Sequence, residues 1–196
     1  MRPVAFFCCL LAAPCGFAGE PSLDPQPVTV LMEFTGTRSA ASLSALKSEL
    51  QTILSDSHLK IDLELKSDWP DTPVSGDLLL FKLKGACTMN AVPIGALSDE
   101  RGPLAMTHAV NGELLPFGEV ECDRVRTALQ RTVGRGNPEA HQAEYGIALA
   151  RVMAHEIYHM LEKSAAHTKD GLSKEALSSL ELSRGNPRLL IHTAKP

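Results

Sequence analysis

A long helical pattern near the C-terminus, from Glu139 to Lys163, is the feature that most constrains the fold. Asn137 suits the N-cap of this helix and Pro138 suits its first turn. A helix that is apolar over most of its circumference belongs in a core rather than on a surface. This segment is of that kind, with apolar residues recurring at three- and four-residue steps on one side and covering much of the remainder: Ala143, Ile147, Leu149, Ala150, Val152, Met153, Ala154, Ile157, Met160 and Leu161. The rest of the chain must supply a layer for it to pack against.

The segments before this helix have the patterns of a mixed sheet. Asn111-Gly112 predicts a hairpin turn, because both residues tolerate positive φ. Pro116 indicates that the arm after this turn is an edge or interrupted strand, and the continuous apolar centre of 77–85 indicates burial on both faces. Strands are predicted at 28–34, 59–66, 77–85, 103–110 and 113–120, and a helix with one apolar stripe at 39–57. The order β-α-β-β-β-β-α predicts an α+β or α/β domain, with a twisted mixed sheet, a backing helix and the long helix at its centre.

Length and composition indicate one globular domain. The chain has 196 residues, of which 44% are hydrophobic and 21% charged. We place the domain at 28–183, with a short closing helix at 173–183 and a loosely held tail at 184–196. A net charge of −4 gives no electrostatic footprint for nucleic acid. The sequence does not indicate the oligomeric state.

The first eighteen residues have the order of a secretory signal. Arg2 is followed by an apolar run and then by small residues before Gly19. This run is too short for a membrane-spanning helix, which needs about 20 apolar residues. We therefore expect cleavage near Ala18, an N-terminal arm at 19–27, and an exported product without stable membrane insertion. A buried N-terminal strand and a lipoprotein anchored through Cys15 are the alternatives.

Cleavage would leave two of the five cysteines. Cys8, Cys9 and Cys15 lie within the predicted signal, so that only Cys87 and Cys122 remain. Two cysteines in an exported protein indicate one disulfide. Two separate buried thiols are the alternative.

The segment HEIYH at 155–159 places a pattern of metal ligands inside the long helix. Residues four apart share one helix face, so that His155 and His159 can converge on one Zn²⁺ ion. Glu156 points to the side of that face, where a general base is needed. A catalytic zinc ion takes a third protein ligand, and His167 is the candidate, because seven residues after His159 allow the helix to end and the chain to turn back. Chance or purely structural histidines are the alternative.

HEIYH followed by a nearby third histidine resembles the metzincin clan of zinc peptidases, and the element order before it is similar to the N-terminal subdomain of that clan. The resemblance implies zinc ligands at His155, His159 and His167 and a general base at Glu156. It therefore implies a metzincin-like zincin domain and a secreted zinc metallopeptidase acting on a peptide or protein substrate.

The chain departs from the usual HExxHxxGxxH pattern of the clan. Glu162 stands in place of the glycine, and Ala165 stands where the third histidine normally lies. The longer spacing is similar to compact bacterial metzincin-like proteins in which a methionine follows Gly-Leu, and Ser173 occupies that position here. These departures favour a second hypothesis, an exported zinc-binding scaffold or interaction protein without turnover.

Other residues are weaker candidates. Tyr158 can donate to an oxyanion or simply pack in the core. His141 lies about 21 Å along the helix from His155 and cannot share its metal. His58, His108 and His192 have no partner pattern. The 103–110 strand can offer an edge to an extended peptide or be an ordinary sheet edge.

Overall fold

The structure is a computed structural model that describes residues 27–57, 59–70, 73, 76–89, 102–130, 137–185 and 189. The predicted signal at 1–18 lies outside these residues. The strands are β1 Pro27–Phe34, β2 Lys60–Leu65, β3 Asp77–Lys84, β4 Ala105–Val110 and β5 Glu113–Glu121; the helices are α1 Ala40–Ser55, α2 Cys122–Gln130, α3 Pro138–Glu162 and α4 Ser179–Ser183. No helix in the described ranges is long and apolar enough to cross a membrane.

The five strands form one mixed sheet in the order β2-β1-β3-β5-β4. The β1–β2, β1–β3 and β3–β5 pairs are parallel, and β4 is an antiparallel edge strand beside β5. Helices α1 and α3 pack on each other and against the sheet, α1 against β2 and α3 against β4 and β5. The predicted class is confirmed: a mixed α/β sheet with a backing helix, α1, and a long central helix, α3.

The burial of the strands differs across the sheet, and β1 is buried on both faces. In β2 the exposed and buried residues alternate as predicted. The prediction that β3 is buried on both faces is wrong. Leu79, Phe81 and Leu83 are buried, whereas Leu78 is 40% exposed. The apolar run of β3 therefore does not reflect full burial on both faces of the strand.

The hairpin between β4 and β5 has the predicted turn, with φ of 54° at Asn111 and 84° at Gly112. Of the two alternatives predicted at Pro116, the edge strand does not apply, because β5 lies between β3 and β4. The interruption is confirmed: the β4–β5 register shifts between the Thr107–Gly118 and Ala109–Leu114 pairs. Pro116 falls inside this irregularity, where its missing N–H costs no regular ladder bond.

Helix α3 begins and ends close to the predicted bounds. The Asn137 side chain accepts a hydrogen bond from the Glu139 amide at 2.9 Å. At the other end Lys163 takes a left-handed conformation, with φ of 48°, and its N–H bonds to the His159 carbonyl. In the middle, a Cβ on Gly146 would lie 2.2 Å from the Ser42 carbonyl oxygen of α1. Glycine there allows the backbones of the two helices to approach closely.

Two parts of the chain differ from the sequence expectation. Helix α2 lies in a stretch for which the sequence predicts no element, and the closing helix is limited to Ser179–Ser183. The start of the predicted loose tail is held in place, because the buried Arg151 guanidinium donates to the carbonyls of Arg184 and Gly185 at 2.7 Å. Leu189 is also buried. The expectation of a loose tail is wrong for these three residues.

The structure joins Cys87 and Cys122 in a disulfide, as predicted. Both residues are fully buried, and the bond ties the chain after β3 to the first turn of α2. The closed loop spans 35 residues.

Removal of this disulfide is expected to destabilise the fold. Replacing both residues, Cys87→Ala with Cys122→Ala, should lower the free energy of unfolding by about 4 kcal/mol, because the unfolded chain regains loop entropy. Urea unfolding of oxidised wild type and of the double variant measures the difference. Reduced wild type should unfold near the variant and serves as the control. Equal midpoints for the oxidised wild type and the variant would contradict the expectation.

Candidate metal centre

Three histidines meet at the C-terminal end of α3. His155 and His159 lie one helical turn apart, and His167 follows in the segment after the helix. Their ligand atoms all lie within 4.8 Å of one another. In the part of the chain that the structure describes, this is the one group of three or more histidine, cysteine or acidic side chains that could hold a metal ion.

The segment after α3 folds back to bring His167 to the helix. The left-handed Lys163 ends α3, and a tight loop follows, in which the Thr168 amide bonds to the Ser173 carbonyl at 2.9 Å. Gly171, with φ of 79°, makes the turn inside this loop. Leu172 is fully buried and anchors the loop in the core. His167, next to the bridged Thr168, is thereby fixed beside the helix.

Hydrogen bonds orient the rings of the two α3 histidines. Nδ1 of His155 lies 2.7 Å from the Leu172 carbonyl oxygen. Nδ1 of His159 lies 2.7 Å from the Ser164 carbonyl oxygen. A carbonyl can only accept, so that each Nδ1 carries the ring proton, and a neutral imidazole has only one. Both Nε2 atoms are therefore left with lone pairs, and they lie 3.0 Å apart.

Two lone pairs at this distance repel each other unless a cation or a proton lies between them. Burial, the largest influence, lowers the pKa of His155 and disfavours the proton. Two nitrogen ligands of a tetrahedral zinc ion, each at about 2.0–2.1 Å, lie about 3.3–3.4 Å apart, close to the separation here. Histidines that bind metals commonly donate their other N–H to a backbone carbonyl. The residues present thus fit a zinc ion, with the exposed His167 as the adjustable third ligand.

Glu156 lies beside the three histidines and is held from the sheet. Its side chain is only 6% exposed. Oε2 accepts a hydrogen bond of 2.7 Å from the Thr107 hydroxyl of β4. Oε1 makes no hydrogen bond to any described residue and is not enclosed by them. One carboxylate oxygen is therefore fixed, and the other remains free to accept a proton.

Two cavities, of about 250 Å³ and 280 Å³, open beside Glu156. Val152 lines the first cavity and His159 the second. Both are also lined by Pro103, Ala105, His155, Glu156 and Glu175. Together they form a groove along β4, with α3 as its floor and the 165–177 segment as its opposite wall. A ligand in this groove would contact both the histidine cluster and Glu156.

The remaining candidates lie away from this groove. Tyr158 is buried and lines neither cavity, which agrees with packing in the core. His108 stacks on Phe117 with the ring centroids 4.7 Å apart. His58 and His192 lie outside the described residues. Ser173, at the methionine position, is 2% exposed, and its hydroxyl has no hydrogen-bond partner within the described part of the chain.

Sequence reasoning missed the groups that orient the site. Thr107 is one threonine in a strand, and no spacing marked it as a neighbour of Glu156. The carbonyls of Ser164 and Leu172 are backbone groups, which every residue carries. Only the alternation of side chains in β4 placed Thr107 on the same face as the buried Ala105.

Comparisons with known proteins give a weak likeness. No protein-family model matches the chain, and no curated protein sequence matches it. Among solved structures, the crystal structure of archaemetzincin from Methanopyrus kandleri is similar over 86% of this chain and 91% of that chain. The sequence identity is 13% and the TM-score 0.46. At 13% identity this likeness assigns no activity to the chain.

Proposed function

We propose that the protein is a secreted zinc-dependent metallopeptidase, with zinc held by His155, His159 and His167. The observation that carries the proposal is the pair of facing Nε2 atoms beside a buried carboxylate that opens on a groove. The buried disulfide agrees with an oxidising compartment, as does the predicted signal at 1–18.

Several groups of the chain would have separate roles in hydrolysis. The chemistry that bound zinc supplies is activation of a water molecule and polarisation of the scissile carbonyl. Glu156 accepts a proton at its free Oε1 from the attacking water and passes it to the leaving amine. The Leu172 and Ser164 carbonyls keep the ligand nitrogens unprotonated and aimed at one point. The groove along β4 holds the substrate next to Glu156.

Metal analysis combined with peptide cleavage tests this proposal. The purified mature protein is expected to contain about one zinc ion per chain, because three histidines complete a catalytic site. It should also cleave members of a diverse peptide library, read by mass spectrometry, and lose both zinc and activity after chelation. Absence of stoichiometric metal would end the proposal. Normal zinc content without any cleavage would favour the exported zinc-binding scaffold.

A further inference from the structure

The Thr107 hydroxyl donates a hydrogen bond to the Glu156 carboxylate. Its Oγ1 lies 2.7 Å from Glu156 Oε2 and 3.4 Å from the backbone oxygen of the same residue. A hydroxyl has one proton to donate, and the shorter distance assigns it to the carboxylate. Because Glu156 is buried, this bond to an ionised acceptor is stronger than one at a surface.

The position of Thr107 follows from the irregularity in the hairpin. Thr107 pairs with Gly118, the last regular pair before the register shifts around Pro116. Gly118 allows β5 to lie close to α3, since a Cβ there would come within 2.8 Å of the Met160 side chain. Irregular pairs of this kind re-aim neighbouring side chains. The hairpin therefore delivers a hydroxyl to the carboxylate that lies next to His155 in the histidine cluster.

We propose that Thr107 is the positioning residue for Glu156 in the reaction, an inference that rests on the proposed peptidase function. By occupying Oε2, the hydroxyl limits rotation of the carboxylate and leaves Oε1 as the acceptor that faces the groove. Thr107 itself takes no proton from the substrate. Its loss should slow the chemical step rather than weaken substrate or metal binding, because small misplacements of a catalytic group are costly.

The test compares Thr107→Val, which keeps the shape without the hydroxyl, with Thr107→Ser, which keeps the hydroxyl. Thr107→Val is expected to lower kcat about tenfold with KM and zinc content nearly unchanged, as for a lost hydrogen bond to a charged group. Thr107→Ser should stay within about twofold of wild type. Thr107→Ala provides a second variant without the hydroxyl, should valine disturb the strand.

Thr29→Val is the matched control. Thr29 is a buried threonine in β1, three strand positions and about 14 Å from β4. Removal of its hydroxyl should leave kcat unchanged.

Binding of acetohydroxamic acid to the zinc-loaded proteins, measured by calorimetry, gives a readout without turnover. This acid releases a proton when it chelates a metal, and Glu156 is the adjacent acceptor. Weaker binding by Thr107→Val and Thr107→Ala, restored in Thr107→Ser, supports the proposal. The proposal is overturned if Thr107→Val and wild type bind acetohydroxamic acid equally and have equal kcat. It is also overturned if Thr107→Ser loses as much binding and kcat as Thr107→Val. A wild type that holds no zinc would show that the proposed function has failed. A zinc-loaded wild type that binds no acetohydroxamic acid would overturn the inference about Thr107.

Discussion

Glu156→Gln is expected to keep its zinc and to lose hydrolysis by about 10³-fold, the range in which general acid–base catalysis contributes. Glutamine preserves the size of the side chain, and its amide oxygen can still accept from Thr107. It cannot take up and release the proton. Initial rates on a cleaved library peptide, together with zinc analysis of the same sample, measure the effect.

Glu144→Gln is the matched control for this variant. Glu144 lies on the same helix, twelve residues or about 18 Å before Glu156, outside both cavities. It should retain wild-type activity. A Glu156→Gln protein with full activity would show that Glu156 is not the general base, even if the histidines bind zinc.

His159→Ala should abolish stoichiometric zinc binding. The change removes one of the two preoriented Nε2 donors and leaves His155 and His167, which are too few for a firm catalytic site. Wild type should gain about 2.7 kcal/mol of stability when free zinc is 100 times its dissociation constant, whereas the variant should gain almost none. Zinc analysis after dialysis and thermal unfolding with and without zinc measure both effects.

His141→Ala is the control for removal of a histidine from α3. It lies near the helix start, about 27 Å from His159, and should bind zinc like wild type. A His159→Ala protein that keeps one tightly bound zinc would place the metal elsewhere.

The elements that could be predicted were those with a strong local signal. Helix α3 was predicted within about a residue at each end, because Asn137 and Pro138 mark its start and its apolar surface is continuous. The turn at Asn111-Gly112 was predicted because few residue pairs accept its backbone angles. Helix α2 was missed, since its sequence is polar and its position depends on the disulfide at Cys122 and on packing against α3.

Strand positions within the sheet could not be obtained from local patterns. Pro116 predicted an edge or interrupted strand, and only the pairing of strands shows that β5 is internal and that the proline lies where the register shifts. Leu78 belongs to an apolar run and is nevertheless partly exposed. Both outcomes depend on which strands become neighbours, a contact between distant segments that no window of sequence contains.

By itself, the sequence determined which residues could form a metal site. The four-residue step from His155 to His159 places both on one helix face through helical geometry alone, and His167 follows within reach. Tertiary structure decided that these residues form a coherent site. The carbonyls of Leu172 and Ser164 orient the rings, and Thr107 holds Glu156, only because the loop and the β4–β5 hairpin pack against α3. Orientation by hydrogen bonds requires groups from separate elements to meet within about 3 Å, and folding alone brings them there.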